Sequence, residues 1–88
     1  MPSIQVEFFG VARSRANVAA VTLDVVSLRE VLSQLGEHFP SLADLCVEDG
    51  ELAPGWLLNL NGTTFTRDLS TPVKNGDNVL LIPADAGG

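Results

Sequence analysis

The stretch Ser27–Pro40, SLREVLSQLGEHFP, decides the fold. Ser27 and Glu30 have the spacing of a capping box, in which the serine oxygen accepts from the amide of residue 30 while the glutamate reaches back to the amide of Ser27. Val26 and Val31 stand at the positions of a hydrophobic staple. Leu28, Val31, Leu32, Leu35 and Phe39 then recur at i, i+3, i+4, i+7 and i+11, one stripe of an α-helix, with Arg29, Glu30, Ser33 and Glu37 outside it. Gly36 weakens the last turn, and Pro40 ends the helix because its ring disfavours helical angles at Phe39. At about 1.5–3 kcal/mol for each fully buried apolar side chain, the stripe stabilises the chain only if a sheet covers it.

The flanking sequence supplies that sheet. From Ser3 to Phe9, Ile4, Val6 and Phe8 alternate with Gln5, Glu7 and Phe9, the period of a half-buried strand. Gly10 opens a polar segment through Arg13, Arg15 and Asn17 that reads as a loop. A second strand over 19–25, with Val21, Leu23 and Val25 on one side, returns beside the first as a hairpin. After the helix, Leu42 and Leu45 suggest a further helical turn, Glu48-Asp49-Gly50-Glu51 an acidic turn, and Pro54-Gly55 a break. Trp56, Leu58 and Leu60 alternate with Leu57 and Asn59 in a third strand. Asn61-Gly62 is a hairpin signal into a short fourth strand near Thr63 to Phe65. Leu69 anchors the next loop, and the turn residues from Thr71 to Asp77 deliver a fifth strand, Asn78 to Pro83. The expected fold is α+β, with strands and helix in the order ββαβββ.

Size and composition narrow the function. The 88 residues make one small domain, expected over 1–88, with no room for a large cleft. The chain is 45% hydrophobic, and its mean hydropathy of +0.25 excludes a wholly disordered segment. Eleven acidic residues against five basic ones give a net charge of −6, which disfavours nucleic acid and anionic membrane as partners. No apolar run approaches the ~18 residues needed to span a bilayer, and Met1-Pro2-Ser3-Ile4-Gln5 lacks the basic start of a secretory signal, so a cytoplasmic location is expected. One cysteine, Cys46, and one histidine, His38, fall short of a zinc ligand set, and no bound metal or cofactor is expected. Cys46 reads as a small, partly buried residue, His38 as a solvated residue at a helix C-terminus, and Glu48, Asp49 and Glu51 as a solvated turn without calcium-loop spacing. The five glycines before the end other than Gly36, namely Gly10, Gly50, Gly55, Gly62 and Gly76, read as turns; they form no phosphate-binding loop.

Two features point outward. Ala86-Gly87-Gly88 after the apolar fifth strand is a tail almost free of side chains, expected over 84–88 and expected to be extended and mobile. Strand parity supplies the second. If Phe8 and Leu81 face the helix, Phe9, Leu80 and Ile82 face the other way, joined by Leu57, among the polar Gln5, Glu7 and Asn59. Such apolar side chains form a candidate interaction patch unless the 41–55 segment folds over them.

The element order, Phe8-Phe9-Gly10 with an arginine soon after, the Ser27–Leu32 helix start, Asn59-Leu60-Asn61-Gly62, the block Leu69–Asp77 followed by Leu81-Ile82-Pro83, and Gly87-Gly88 together resemble the MoaD/ThiS family of ubiquitin-like β-grasp sulfur carriers. The 41–55 segment makes the likeness greater to the molybdopterin synthase small subunit than to the shorter thiamine carrier; Asp85 departs from the apolar residue usual there. The resemblance implies a mixed sheet with the first and fifth strands parallel at its centre. It also implies that an E1-like adenylyltransferase of the MoeB/ThiF type uses ATP to adenylate the Gly88 carboxylate. A sulfurtransferase or cysteine desulfurase then supplies sulfur for a thiocarboxylate. A molybdopterin synthase large subunit or another acceptor takes that sulfur. Gly88 and Gly87 would be the reacting end, and Phe9, Leu57, Leu80, Ile82, Pro83 and Ala86 the partner contacts. The chain itself would be a carrier and not an enzyme, though able to serve as the small subunit of a synthase. A glycine without a side chain leaves the activated carbonyl open to attack, and five residues beyond Pro83 reach at most ~17 Å into a partner. Thiamine, amino-acid and tRNA thiolation, a ubiquitin-like protein modifier, and a plain interaction module remain open alternatives.

Overall fold

A computed structural model describes residues 2–45 and 50–84; the expectations for Cys46, Glu48, Asp49 and the tail residues 85–88 lie outside the described residues. The alternation at the N-terminus forms β1, Ser3–Phe8, with Ile4, Val6 and Phe8 buried. β2, Ala20–Asp24, pairs antiparallel with it, Val6 opposite Val21. The capped stretch forms α2, Leu28–His38, after a short α1, Val11–Ala16. A 3₁₀ segment, Pro40–Leu45, follows α2 and buries Leu42 and Leu45, as the apolar spacing suggested. β3, Trp56–Leu60, β4, Thr64–Thr66, and β5, Asn78–Pro83, complete one sheet in the order β2-β1-β5-β3-β4. β1 and β5 are parallel neighbours at its centre, and the other pairs are antiparallel.

The helix stripe behaves as its period requires. Leu28, Val31, Leu32 and Leu35 are buried, and Phe39 is partly buried with its ring 5.5 Å from that of Phe8 in an edge-to-face contact. The facing surface is Ile4, Val6, Phe8, Leu58, Val79 and Leu81, with Leu60 partly buried beside them. Leu69 is buried in its loop, as expected. At the helix start Ser27 Oγ accepts from the amide of Glu30 at 3.4 Å. The reciprocal bond differs from the expectation: Glu30 Oε1 accepts from the amide of Val26, 3.1 Å away, and not from that of Ser27. Val26 is 44% exposed, so the staple is not closed. Its amide and carbonyl serve Glu30 and the Val73 N–H instead.

One expected loop is a helix. The segment from Gly10 through Arg13, Arg15 and Asn17 reads from its polarity as a solvated loop, but Ala12 and Ala16, four apart, are buried on one face. Two residues too small to mark a stripe by hydropathy let the short helix approach the core closely. Asn17 ends it in the left-handed region, φ 61°, with its N–H donating to Arg13 O at 2.9 Å. The hairpin turn is as expected: Asn61 and Gly62 both take positive φ, 59° and 74°, and the Thr63 N–H closes on Leu60 O at 3.2 Å.

Candidate docking face and tail exit

The strand that leads to the tail leaves from the middle of the sheet. The Phe9 N–H donates to Leu81 O at 3.1 Å, extending the parallel pairing one residue past β1. At Gly10 the backbone turns with φ 55°, and a Cβ there would stand 3.1 Å from Pro83 Cγ. On the other side Pro83 pairs with Trp56, and the Ala84 N–H donates to Gly55 O at 2.8 Å. The exit is thus held between Gly10 and Gly55. Ala84, counted as the first tail residue from sequence, belongs to this clasp.

Arginines brace the clasp. Arg67 donates to the carbonyls of Trp56 at 2.7 Å, Leu52 at 2.6 Å and Ala53 at 3.2 Å, fixing the approach to β3. The planar guanidinium, with its donors in a fixed fork, gathers three backbone carbonyls at one point. Arg15 stands 5.7 Å over the Trp56 ring and pairs with Asp44, 3.0 Å, tying α1 to the 3₁₀ segment.

The face away from α2 carries most of the expected contact set. Phe9 is 40% exposed, and Leu57, Leu80 and Ile82 are half-buried. Ile82 lies opposite Leu57, and Leu80 opposite both Glu7 and Asn59, so these side chains form neighbouring rows on one surface. The described parts of 41–55 do not cover it; they put Leu42, Leu45 and Leu52 into the core, and Gly50 O accepts from Arg29 on α2. Pro83, expected among the contacts, is buried: it shares the parity of Val79 and Leu81 and lies against Gly10. Ala86, Gly87 and Gly88 are beyond the described residues.

Two features of this face were missed or misread. Phe65, directly opposite Asn59 in the β3–β4 hairpin, is the most exposed large apolar residue described, at 63%. The same parity count, carried through the hairpin turn to β4, would have found it. Asn59 was read as polar clothing exposed to water but is only 4% exposed; its neighbours Leu80 and Phe65 belong to β5 and β4, which a count along β3 does not see. His38 is exposed at the end of α2, as expected. Among the described residues no three of His, Cys, Asp and Glu stand together as a metal site, and no helix is long and apolar enough to cross a membrane.

The sequence pattern of the ThiS family matches residues 6–88. This chain belongs to the ThiS family. No curated protein matches it. Among solved structures it is similar to SAMP1 from Haloferax volcanii, at 26% identity over 98% of this chain and 99% of that one, with a TM-score of 0.83. It shares its fold with the Amycolatopsis orientalis BexX/CysO complex, at 20% identity, 97% and 99% coverage and TM-score 0.80. A Pyrococcus furiosus protein described as molybdopterin converting factor, subunit 1, matches at 16% identity, 94% and 98% coverage and TM-score 0.78. The chain is therefore a small ubiquitin-like β-grasp protein of a carrier family, and the clasped exit and outer face described above are features of a ThiS-family member.

Proposed function

We propose that this ThiS-family chain is a sulfur carrier whose Gly88 carboxylate is activated and converted to a thiocarboxylate. The observation that carries the reading is the placement of β5: the family match runs through residue 88, and the strand that leads toward Gly87-Gly88 leaves the sheet centre beside an apolar face that none of the described residues covers. A partner gripping that face stands where the tail emerges. A carboxylate oxygen attacks the α-phosphorus of ATP on an E1-like adenylyltransferase, and pyrophosphate leaves. The terminal sulfur of a persulfide on a sulfurtransferase or cysteine desulfurase then attacks the carbonyl carbon and the C–O bond to AMP breaks; a second thiol attacks the resulting acyl disulfide, its S–S bond breaks, and the thiocarboxylate leaves as the two thiols are joined in a disulfide. The chain supplies the acyl group and the docking surface, and its partner supplies the ATP site. We place the carrier in molybdopterin synthesis, on the length of the segment between helix and third strand, with a synthase large subunit as acceptor in the cytoplasm.

A second reading has its own support. The similarity to SAMP1, named a small archaeal modifier protein, favours a route in which the same acyl adenylate ends on a lysine amine. The intact mass of the chain purified from its own cells separates the two. The expected result is a mass raised by one sulfur in place of one oxygen, absent when Gly87-Gly88 is deleted. Lysine-linked conjugates without any sulfurated chain would replace the carrier reading by the modifier, and full function of the truncated chain would overturn both.

A further inference from the structure

The two edges of the sheet differ. β4 is three residues long, whereas β2, Ala20–Asp24, offers five. In an antiparallel ladder, residues whose N–H and C=O reach the neighbouring strand alternate with residues whose groups point away from it. The Phe8 N–H on Ala19 O and the Val25 N–H on Pro2 O set the phase of the β1–β2 pair. Val21 and Leu23 therefore bond to β1, and the backbone groups of Ala20, Thr22 and Asp24 point outward from the sheet. Among the described residues only the Asp24 carbonyl has a partner on that side, Gln34 Nε2 at 3.4 Å. An edge left open in this way is a template for a further strand.

A groove lies beside the same edge. Val21, Thr22, Leu23, His38 and Phe39 line about 260 Å³ between β2 and the end of α2. Val21 and Phe39 are half-buried, so apolar surface faces the opening. A strand added to β2 alternates its side chains between the two faces of the sheet, and every second one falls on the α2 side, over this groove. Edge and groove thus select one kind of occupant, an extended segment with aliphatic residues two apart. The exposed Asp24 at one end of the edge and the net charge of −6 call for basic residues flanking it. A second copy fits poorly. β2 paired with itself about Thr22 sets Ala20 opposite Asp24 at both ends, where Gln34 already holds the carbonyl, and it brings two strongly acidic chains together. We propose that the β2 edge is a second docking site, entered as a sixth strand by an extended aliphatic segment, with basic flanks, of a partner protein. β5 lies two strands in from this edge, so Leu80, Ile82 and the tail exit stay open. A partner held along β2 tethers the chain while another protein works at Gly88, and the site itself does not depend on the chemistry of that carboxylate.

The test is a titration of the full-length, ¹⁵N-labelled chain with an acetylated peptide of alternating valine and threonine that carries lysine at both ends. Saturable shifts are expected at the amides of Ala20, Thr22, Asp24 and Phe39, with Leu80 and Ile82 unmoved. Pairing through the backbone uses one edge of the peptide only. N-methylation of one alternate set of residues should therefore raise Kd about tenfold or more, and methylation of the other set should leave it unchanged. The threonine set is the sensitive one if the peptide runs antiparallel to β2, and the valine set if it runs parallel. Thr22→Pro removes an outward N–H and no bond to β1, and should weaken binding several-fold. The methylated pair leaves the protein unaltered and decides the matter even if that variant does not fold. A peptide flanked by glutamate should bind several-fold more weakly. Equal loss from both methylated sets, shifts centred on the outer face, or equal binding of the glutamate peptide would each overturn the proposal. So would self-association of the free chain that Thr22→Pro abolishes, which gives the edge to a second copy.

Discussion

Asp77 shows how one side chain can hold two turns. Its Oδ2 accepts from the Lys74 N–H at 2.8 Å and its Oδ1 from Asn61 Nδ2 at 3.1 Å, so the turn before β5 is tied to the β3–β4 hairpin. Asn61 returns the link by accepting from the Asn78 N–H at 2.8 Å. The Lys74 amide first, then the Asn61 amide, hold the Asp77 carboxyl below its ordinary 3.8. Asp68 is lowered too, chiefly by the Ser70 hydroxyl at 2.6 Å and then the Ser70 N–H at 3.0 Å. A carboxyl whose folded pKa is depressed contributes stability that is present above its unfolded value and is lost as pH falls through the folded one. Urea midpoints measured from neutral pH down to about pH 2 should therefore fall most steeply below the ordinary carboxylate range. Asp77→Asn should cost stability at neutral pH and converge with wild type in acid. A constant gap across the range would mean that the charge plays no part.

At the level of elements, α1 matters through what lies on either side of it. Gly10 precedes it with φ 55° and sits against Pro83, while Asn17 ends it and returns the chain to β2. Gly10→Ala meets two costs at once: a left-handed backbone at a residue with Cβ, about 1–2 kcal/mol, and a contact 3.1 Å from Pro83 Cγ that the clasp must absorb. Denaturation should show a loss of roughly 1–3 kcal/mol, with amide shifts concentrated at Phe9, Leu81 to Ala84 and Gly55. A loss of that size with no change near Pro83 would assign the effect to backbone strain alone. α2 is held differently, by its stripe and cap, and changes there would lower stability without touching the exit.

For the whole molecule, the division between the two faces of the sheet is the functional statement. One face meets α2 and is dry; the other leaves Phe9 and Phe65 exposed around Leu57, Leu80 and Ile82. Changing Phe9 and Ile82 to serine, singly and together, should leave the fold intact because neither belongs to the core under α2. Adenylation and sulfuration of the variants by the activating enzyme should fall, with the double variant lower than either single one, and acceptor binding should weaken in parallel. Folded variants processed at the wild-type rate would move the docking surface elsewhere.

Periodic patterns along the chain determined the capped helix, the alternating strands, the Asn61-Gly62 turn and the side on which Phe9, Leu80 and Ile82 project, because each depends on neighbours a few residues apart. The motif resemblance added the parallel pairing of the first and last strands. Tertiary structure decided what local period cannot carry. Ala12 and Ala16 gave no hydropathy stripe, and only packing made their segment a helix. Pro83 is buried because Gly10, in the turn between β1 and α1, comes up against it. Asn59 is dry because Leu80 and Phe65 flank it across two strand pairings, and Arg67 found its role only when the carbonyls of residues 52, 53 and 56 converged on it. In each case the deciding neighbour is distant in sequence, and burial is a property of the assembled sheet.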